Sequence, residues 1–188
     1  MATEKKKFLP VKIPSLNKEF ELYGNSISNF DNKTIKLDLT SELRGKGAEL
    51  RLAINVKDNE AIAHPIELTL MGSYIRRMMR KGTDYVENSF EVKLKDHKVR
   101  IKTFLITRKK VSRDVRTALR DTVKKEVIIY VEPKTFENVV LDIVNNKLQK
   151  ELIVKLKKIY PLALCEIKSI AIIGKVKDIK MTEPETEK

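Results

Sequence analysis

The sequence predicts an α+β protein: an antiparallel barrel-like β-sheet followed by a helical region and a closing strand. Three observations carry this. Apolar residues alternate with polar ones from about residue 18 to 107, the period becomes helical from about 112 to 160, and an Ile-rich run occupies 164–173.

Glu19-Phe20-Glu21-Leu22-Tyr23 and Thr34 to Leu39 alternate as half-buried strands do. Leu50, Leu52, Ile54 and Val56 continue the period up to the turn pair Asp58-Asn59. Ile62, His64, Ile66, Leu68 and Leu70 then resume it, which reads as a hairpin. A second hairpin follows, with Phe90, Val92 and Leu94, the turn Lys95-Asp96-His97, and Val99, Ile101 and Leu105. Between them, Ser73 to Lys81 is expected to form a short helix, capped by Ser73 and ended before Gly82.

Beyond residue 112 three apolar stripes recur at helical spacing. Ser112 is a candidate cap ahead of Val115, Leu119 and Val123, while Arg113, Arg116, Arg120 and Lys124 share another face of the same helix. Pro133 interrupts and Thr135 is positioned to cap a stripe of Phe136, Val139, Val140, Ile143 and Val144. Leu148, Leu152, Leu156 and Ile159 form the third, stopped by Pro161. These stripes are read as core in preference to partner grooves. The chain therefore reads as one domain over residues 8–175, with strands over 18–107, helices over 112–160 and the closing strand over 164–173. Residues 1–7, which are basic, and 176–188 read as mobile tails.

At 41% apolar and 35% charged residues, the chain is too apolar to be wholly disordered and too charged to sit in a membrane. No run of about 18 apolar residues occurs, and no apolar signal core follows the basic start, so no membrane is expected among the partners. The single Cys165, in an apolar stretch, is expected to be a buried, inert thiol in a reducing compartment.

The net charge of +13 implies a polyanionic partner, and its placement strengthens that inference. Residues 72–120 hold fifteen Lys and Arg against five Asp and Glu, ten of the thirteen excess charges. They cluster in three places. Arg76, Arg77, Arg80 and Lys81 lie on the short helix. Lys98, Arg100 and Lys102 alternate along one strand face. Arg108, Lys109, Lys110, Arg113, Arg116 and Arg120 run from a strand end into a helix. Arg is favoured over Lys in this set, and its planar fork matches phosphate oxygens two at a time. The plainer reading is a set of solvated faces, some arginines being paired to Asp84, Glu87 or Asp114. That suits any one residue better than it suits the group. Aromatic content is low, at 6% with no Trp, so contact is expected with backbone and shape more than with stacked single-stranded bases.

Enzyme signatures are missing. His64 falls on a strand and His97 in a tight turn, no Gly-rich phosphate loop occurs, and Leu43-Arg44-Gly45-Lys46-Gly47 lacks the P-loop spacing. No catalytic residue, metal or cofactor is expected.

The chain contains, in order, Tyr74-Ile75-Arg76-Arg77-Met78-Met79-Arg80-Lys81, Lys98 to Lys102 with Ile106 to Lys110, Arg116-Thr117-Ala118-Leu119-Arg120, and Thr135-Phe136-Glu137 followed by Lys147-Leu148 and Lys157 to Leu162. Together these segments resemble a family of small-subunit ribosomal proteins found in archaea and eukaryotes, named S-one-e or S-three-a-e. They keep the family's order over about residues 34–173. The last, reading KKIYPL, is the most specific, and the chain looks closer to the archaeal branch. The resemblance implies a cytoplasmic component of the ribosome, on the platform of the small subunit near the mRNA exit. Its partners would be small-subunit rRNA, neighbouring small-subunit ribosomal proteins and mRNA at the exit. It implies an rRNA-binding role for Arg76, Arg77, Arg80, Arg100, Lys102, Arg108, Arg116 and Arg120. This chain departs from the family's pattern in three places. Lys95-Asp96-His97 replaces a turn with Gly and an aromatic residue, so the hairpin is expected to be a residue shorter. Ala163 and Leu164 stand where the family often has two arginines, and a Trp near the start is absent. Two other functions compete: a free RNA chaperone or translation regulator using the same basic face, and an RNA-processing enzyme whose carboxylates the sheet would bring together.

Overall fold

The computed structural model describes residues 6–43, 45–57 and 60–175. Most of both expected tails, the turn pair Asp58-Asn59 and Arg44 lie outside the described residues. The fold is α+β, with eight strands in one mixed sheet and four α-helices among the described residues.

The sheet opens with β1 (Lys7–Ile13) and β2 (Lys18–Gly24), an antiparallel pair joined through a one-turn 3-10 helix. Sequence alternation marked β2 but not β1. Pro10 blurs the period there, although Val11 and Ile13 are fully buried. β3 (Thr34–Asp38), β4 (Ala48–Lys57) and β5 (Glu60–Leu70) form an antiparallel meander. β6 (Tyr85–Lys93) and β7 (His97–Thr107) make the second hairpin, and β8 (Leu162–Lys175) pairs with β7 along its length.

β5 organises the sheet. One edge pairs with β4, while the other is divided between β1, parallel at Ala61 and Ile62, and β8, antiparallel from Glu67 to Thr69. Pro65 lies at the division. It lacks an N–H, and the register against β4 shifts there, with Leu52 opposite Pro65 and Arg51 opposite Glu67. A bulge at a proline bends the strand and lets its two halves meet different neighbours. The α+β expectation holds, but the sheet is mixed through the parallel β1–β5 pair and barrel-like only loosely, because no ladder among the described residues joins the outer strands into a ring.

α1 (Gly72–Met78) buries Tyr74 and Ile75 and turns its arginines outward. Ser73 does not cap it: the cap position is Met71, with no side-chain bond. α2 (Arg113–Val131) buries Leu119, Val123, Val127 and Val131, extending the expected four-residue period. Its cap is Ser112, whose hydroxyl accepts from Val115 N. In α3 (Phe136–Val144) Thr135 occupies the cap position without a side-chain bond. Asp96, in the β6–β7 turn, supplies it instead, its carboxylate accepting from Phe136 N at 3.1 and 3.2 Å. α4 (Lys147–Leu156) follows after Asn146, which sits in the left-handed region at φ 57°.

One apolar cluster runs through strands and helices. Within it, Phe136 is 1% exposed, and burying such a ring contributes about 2–3 kcal/mol. The cluster also encloses Glu166, 4% exposed, whose Oε1 meets Lys46 Nζ at 2.6 Å and whose Oε2 lies 3.4 Å from Gln149 Nε2. Lys46 Nζ also donates to Asn146 Oδ1, so this half-buried lysine ties the β3–β4 connection to the α3–α4 junction and β8.

Candidate nucleic-acid interface

The thirteen candidate cations are separated in sequence, and tertiary structure regroups them. Arg76, Arg77, Arg80 and Lys81 are exposed on and just after α1. Arg76 and Arg77 fall in its last turn, where a cation is favoured by the helix dipole. The chain then turns through Gly82, at φ 85°, a conformation that suits glycine, and enters β6.

Asp84 and Thr107, at opposite ends of the β6–β7 hairpin's chain, lock that turn to the far end of β7. Asp84 O accepts from Thr107 N at 2.9 Å, and Asp84 N donates to Thr107 Oγ1 at 3.1 Å. The Thr107 hydroxyl donates to Lys109 O at 2.7 Å, and Asp84 Oδ2 accepts from Val111 N at 2.9 Å. Thr107 is fully buried and Asp84 half-buried, so these bonds are partly shielded from water. They bring the α1 cluster beside Arg108, Lys109 and Lys110 and the start of α2. Arg80 and Arg108 line one groove there, with Met78, Thr83, Ile106, Ala163 and Leu164.

α2 adds Arg113 and Arg116 near this end of the molecule and carries Arg120 further along the hairpin, beside Asn88, which pairs with Thr103. Arg113 and Arg120 are exposed, Arg116 half-buried, and Arg120 O accepts from Asn88 Nδ2 of β6. Cations in the first turns oppose the helix dipole, whose N-terminal end is itself positive. Of the nearby residues only Asp114 offers a first-turn acid. The arrangement costs helix stability and raises the local positive potential, as an anion-binding surface requires.

The strand cluster is different. Arg100 stands opposite Glu91 in the β6–β7 register, and Glu91 Oε1 lies 2.7 Å from Arg100 Nη2 while its Oε2 lies 2.6 Å from Lys98 Nζ. The hydrogen bonds from Lys98 and then Arg100 hold the Glu91 carboxyl down to about 2. Lys102 has no such partner. Arg100 is eight residues from Arg108, roughly 26 Å along an extended strand. The structure therefore joins the α1 and α2 clusters and leaves Lys98 and Arg100 apart, already compensated. Among the described residues the remaining eleven candidates have no ion-pair partner. The acids Asp84 and Glu87, expected to engage arginines, do other things: the Asp84 carboxylate takes the Val111 N–H, and Glu87 pairs with Lys168 at 3.0 Å.

Sequence patterning missed Thr107 and Glu91 and gave Asp84 a different role, as an arginine partner; these three residues decide which cations act together. Only Glu91 left a signal, alternating with Lys93 on the solvent side of its strand. Tyr85, 54% exposed and stacked on Phe104 with centroids 6.2 Å apart, is an aromatic at the same end that charge counting also overlooked.

Elsewhere, His64 Nδ1 lies 3.0 Å from Glu137 Oε1, linking β5 to α3, and His97 packs edge-on to Phe136. Among the described residues no three His, Cys, Asp or Glu side chains converge as a metal site would require, and no helix is long and apolar enough to cross a membrane. Cys165 is buried on β8, and burial pushes its thiol up to about 12.

Known proteins share this sequence pattern. The model of the Ribosomal S3Ae family matches residues 4–176. The small ribosomal subunit protein eS1 of Methanothermobacter thermautotrophicus is 28% identical over 173 residues, covering 87% of this chain and 88% of its own. That of Haloarcula marismortui is 27% identical over 190 residues, covering 96% and 89%. That of Nanoarchaeum equitans is 30% identical over 112 residues, covering 59% and 57%. A match across nearly the whole described sheet and helical layer leaves one assignment: the chain belongs to the ribosomal S3Ae family.

Proposed function

We propose that this protein is a structural, non-catalytic constituent of the small ribosomal subunit, with residues 8–175 acting as one RNA-binding unit. The surface that docks against rRNA is the cationic end joined by Asp84 and Thr107. Arg76, Arg77, Arg80, Lys81, Arg108, Lys109, Lys110, Arg113, Arg116 and Arg120 supply its charge. Lys102 extends it along β7, and Lys98 and Arg100 reach RNA only by sharing it with Glu91. The observation that carries this reading is the concentration of unpaired arginines on two segments whose connections are tied together by part-buried hydrogen bonds of Asp84 and Thr107.

The physical role follows from the charge. Folded rRNA crowds phosphates together, and a rigid cationic surface lowers their repulsion while releasing condensed counterions. Family membership and eS1-named relatives support the ribosome as the setting, with rRNA and adjoining ribosomal proteins as partners. Within the subunit, the platform near the mRNA exit is the position this surface would occupy, with mRNA as a further contact there. Gentle gradient fractionation of cells carrying the tagged chain tests this. The protein should co-sediment with small subunits and leave them at high salt. A cellular pool found mainly outside ribosomes would replace this reading with the free RNA chaperone or translation regulator.

A further inference from the structure

We propose that the groove between Arg80 and Arg108 is a seat for a single unstacked RNA nucleotide, the base lying in the groove and its flanking phosphates on the two arginines. This rests on the RNA-binding reading above and names what that surface selects: an RNA with an extruded or bulged base, in preference to a continuous duplex.

The groove encloses about 480 Å³, within the range of about 300–1,000 Å³ typical of small-ligand sites. Its walls are apolar: Met78, Ile106, Ala163 and Leu164 line it, and Thr83 adds the one uncharged polar side chain. Among the described residues no carboxylate lines it. A phosphate chain alone gains nothing from apolar walls, and a purely apolar ligand gains nothing from two unpaired guanidinium groups. A nucleotide has both characters, a flat ring with apolar faces and an anionic link on either side.

The details suit such an occupant. Met78 is 37% exposed, and a thioether packs adaptably against an aromatic ring. Guanidinium planes stack on bases as well as binding phosphate oxygens. The Thr83 hydroxyl, which donates to Arg80 O at 2.8 Å, keeps its lone pairs for a base amino group and helps hold the backbone that carries Arg80. Cations continue on both sides, at Arg76 and Arg77 and at Lys109 to Arg113, so the strand entering and leaving the groove stays neutralised. An acidic peptide would satisfy the arginines and leave the apolar walls uncovered.

The test uses the full chain and two RNA hairpins of equal length, one fully paired and one with a single bulged nucleotide. The wild type should bind the bulged hairpin at least about five-fold more tightly, the lower end of what one stacked base contributes. Ala163→Trp, which fills the groove from an exposed position, should erase that preference. Arg80→Ala should weaken both. As a readout that needs no variant, 4-thiouridine at the bulge should crosslink to Met78 or the 163–164 segment. Equal affinity for the two hairpins, or crosslinks falling elsewhere, would overturn the proposal while leaving RNA binding intact. Failure to bind either hairpin would remove the RNA-binding reading with it. Displacement of the bulged hairpin by a Glu-rich peptide at lower concentration than by RNA would assign the groove to an acidic protein segment.

Discussion

Asp84 and Thr107 exchange two hydrogen bonds, Asp84 O accepting from Thr107 N and Thr107 Oγ1 accepting from Asp84 N, and so set the turn after α1 against the end of β7. Two basic segments more than twenty residues apart thereby become one surface. Thr107→Val keeps the shape and removes the hydroxyl, leaving Asp84 N and Lys109 O without their partner. The expected cost is about 1–3 kcal/mol in urea unfolding, with weaker RNA binding from a loosened surface. Unchanged stability and affinity would show that the clamp does not organise the site.

Arginines at the joined end and on the strand are expected to differ in effect. Arg80→Ala or Arg108→Ala should each weaken RNA binding by about 1–3 kcal/mol and lower the salt slope by about one unit. Arg100→Ala should cost less, because Glu91 already holds that guanidinium at 2.7 Å. Glu91→Gln should steepen the salt dependence by releasing Lys98 and Arg100. Titrations of all four variants across a salt series decide the matter, and equal losses at Arg80 and Arg100 would contradict it.

The start of α3 depends on a residue forty positions away. Asp96→Ala removes the carboxylate that accepts from Phe136 N and should destabilise the fold by about 1 kcal/mol, whereas Thr135→Ala should cost less. Thermal unfolding of the two variants checks the order.

Acid sensitivity has an identifiable source in Asp142. Burial raises its carboxyl, but hydrogen bonds from Lys134, 2.5 Å away, and Tyr130, 3.0 Å away, outweigh burial and leave it below the usual range. A lowered folded value means its stabilisation is complete above the ordinary carboxylate value of about 4 and is lost as pH falls through the folded one. Asp142→Asn should therefore be less stable than wild type at pH 7, and the gap should close below about pH 4. A gap independent of pH would assign the effect to packing.

Cys165 should resist alkylation at pH 8 in the folded protein and react fully in denaturant, since its thiol is buried and pushed up to about 12. Rapid labelling of the native chain would mean that β8 opens locally.

The sequence by itself determined the local elements and the charge. Alternation at Phe90, Val92 and Leu94 and again at Val99, Ile101 and Leu105 specifies the β6–β7 hairpin, because a strand with one buried face has a period of two. Stripes at Leu119, Val123, Phe136, Val140, Leu148 and Leu152 specify helices for the corresponding reason. The excess charge of residues 72–120 was likewise legible, since it depends on composition alone. Tertiary structure decided everything that requires two distant segments to meet. It split the free edge of β5 between β1 and β8, placed Asp96 at the start of α3, gave Lys98 and Arg100 to Glu91, and brought Arg80 to Arg108. Hydrogen bonds and ion pairs act over about 3 Å, and periodicity reports which face of an element is buried but not which other element covers it. For that reason the cations were visible in the chain, and the surface they form was not.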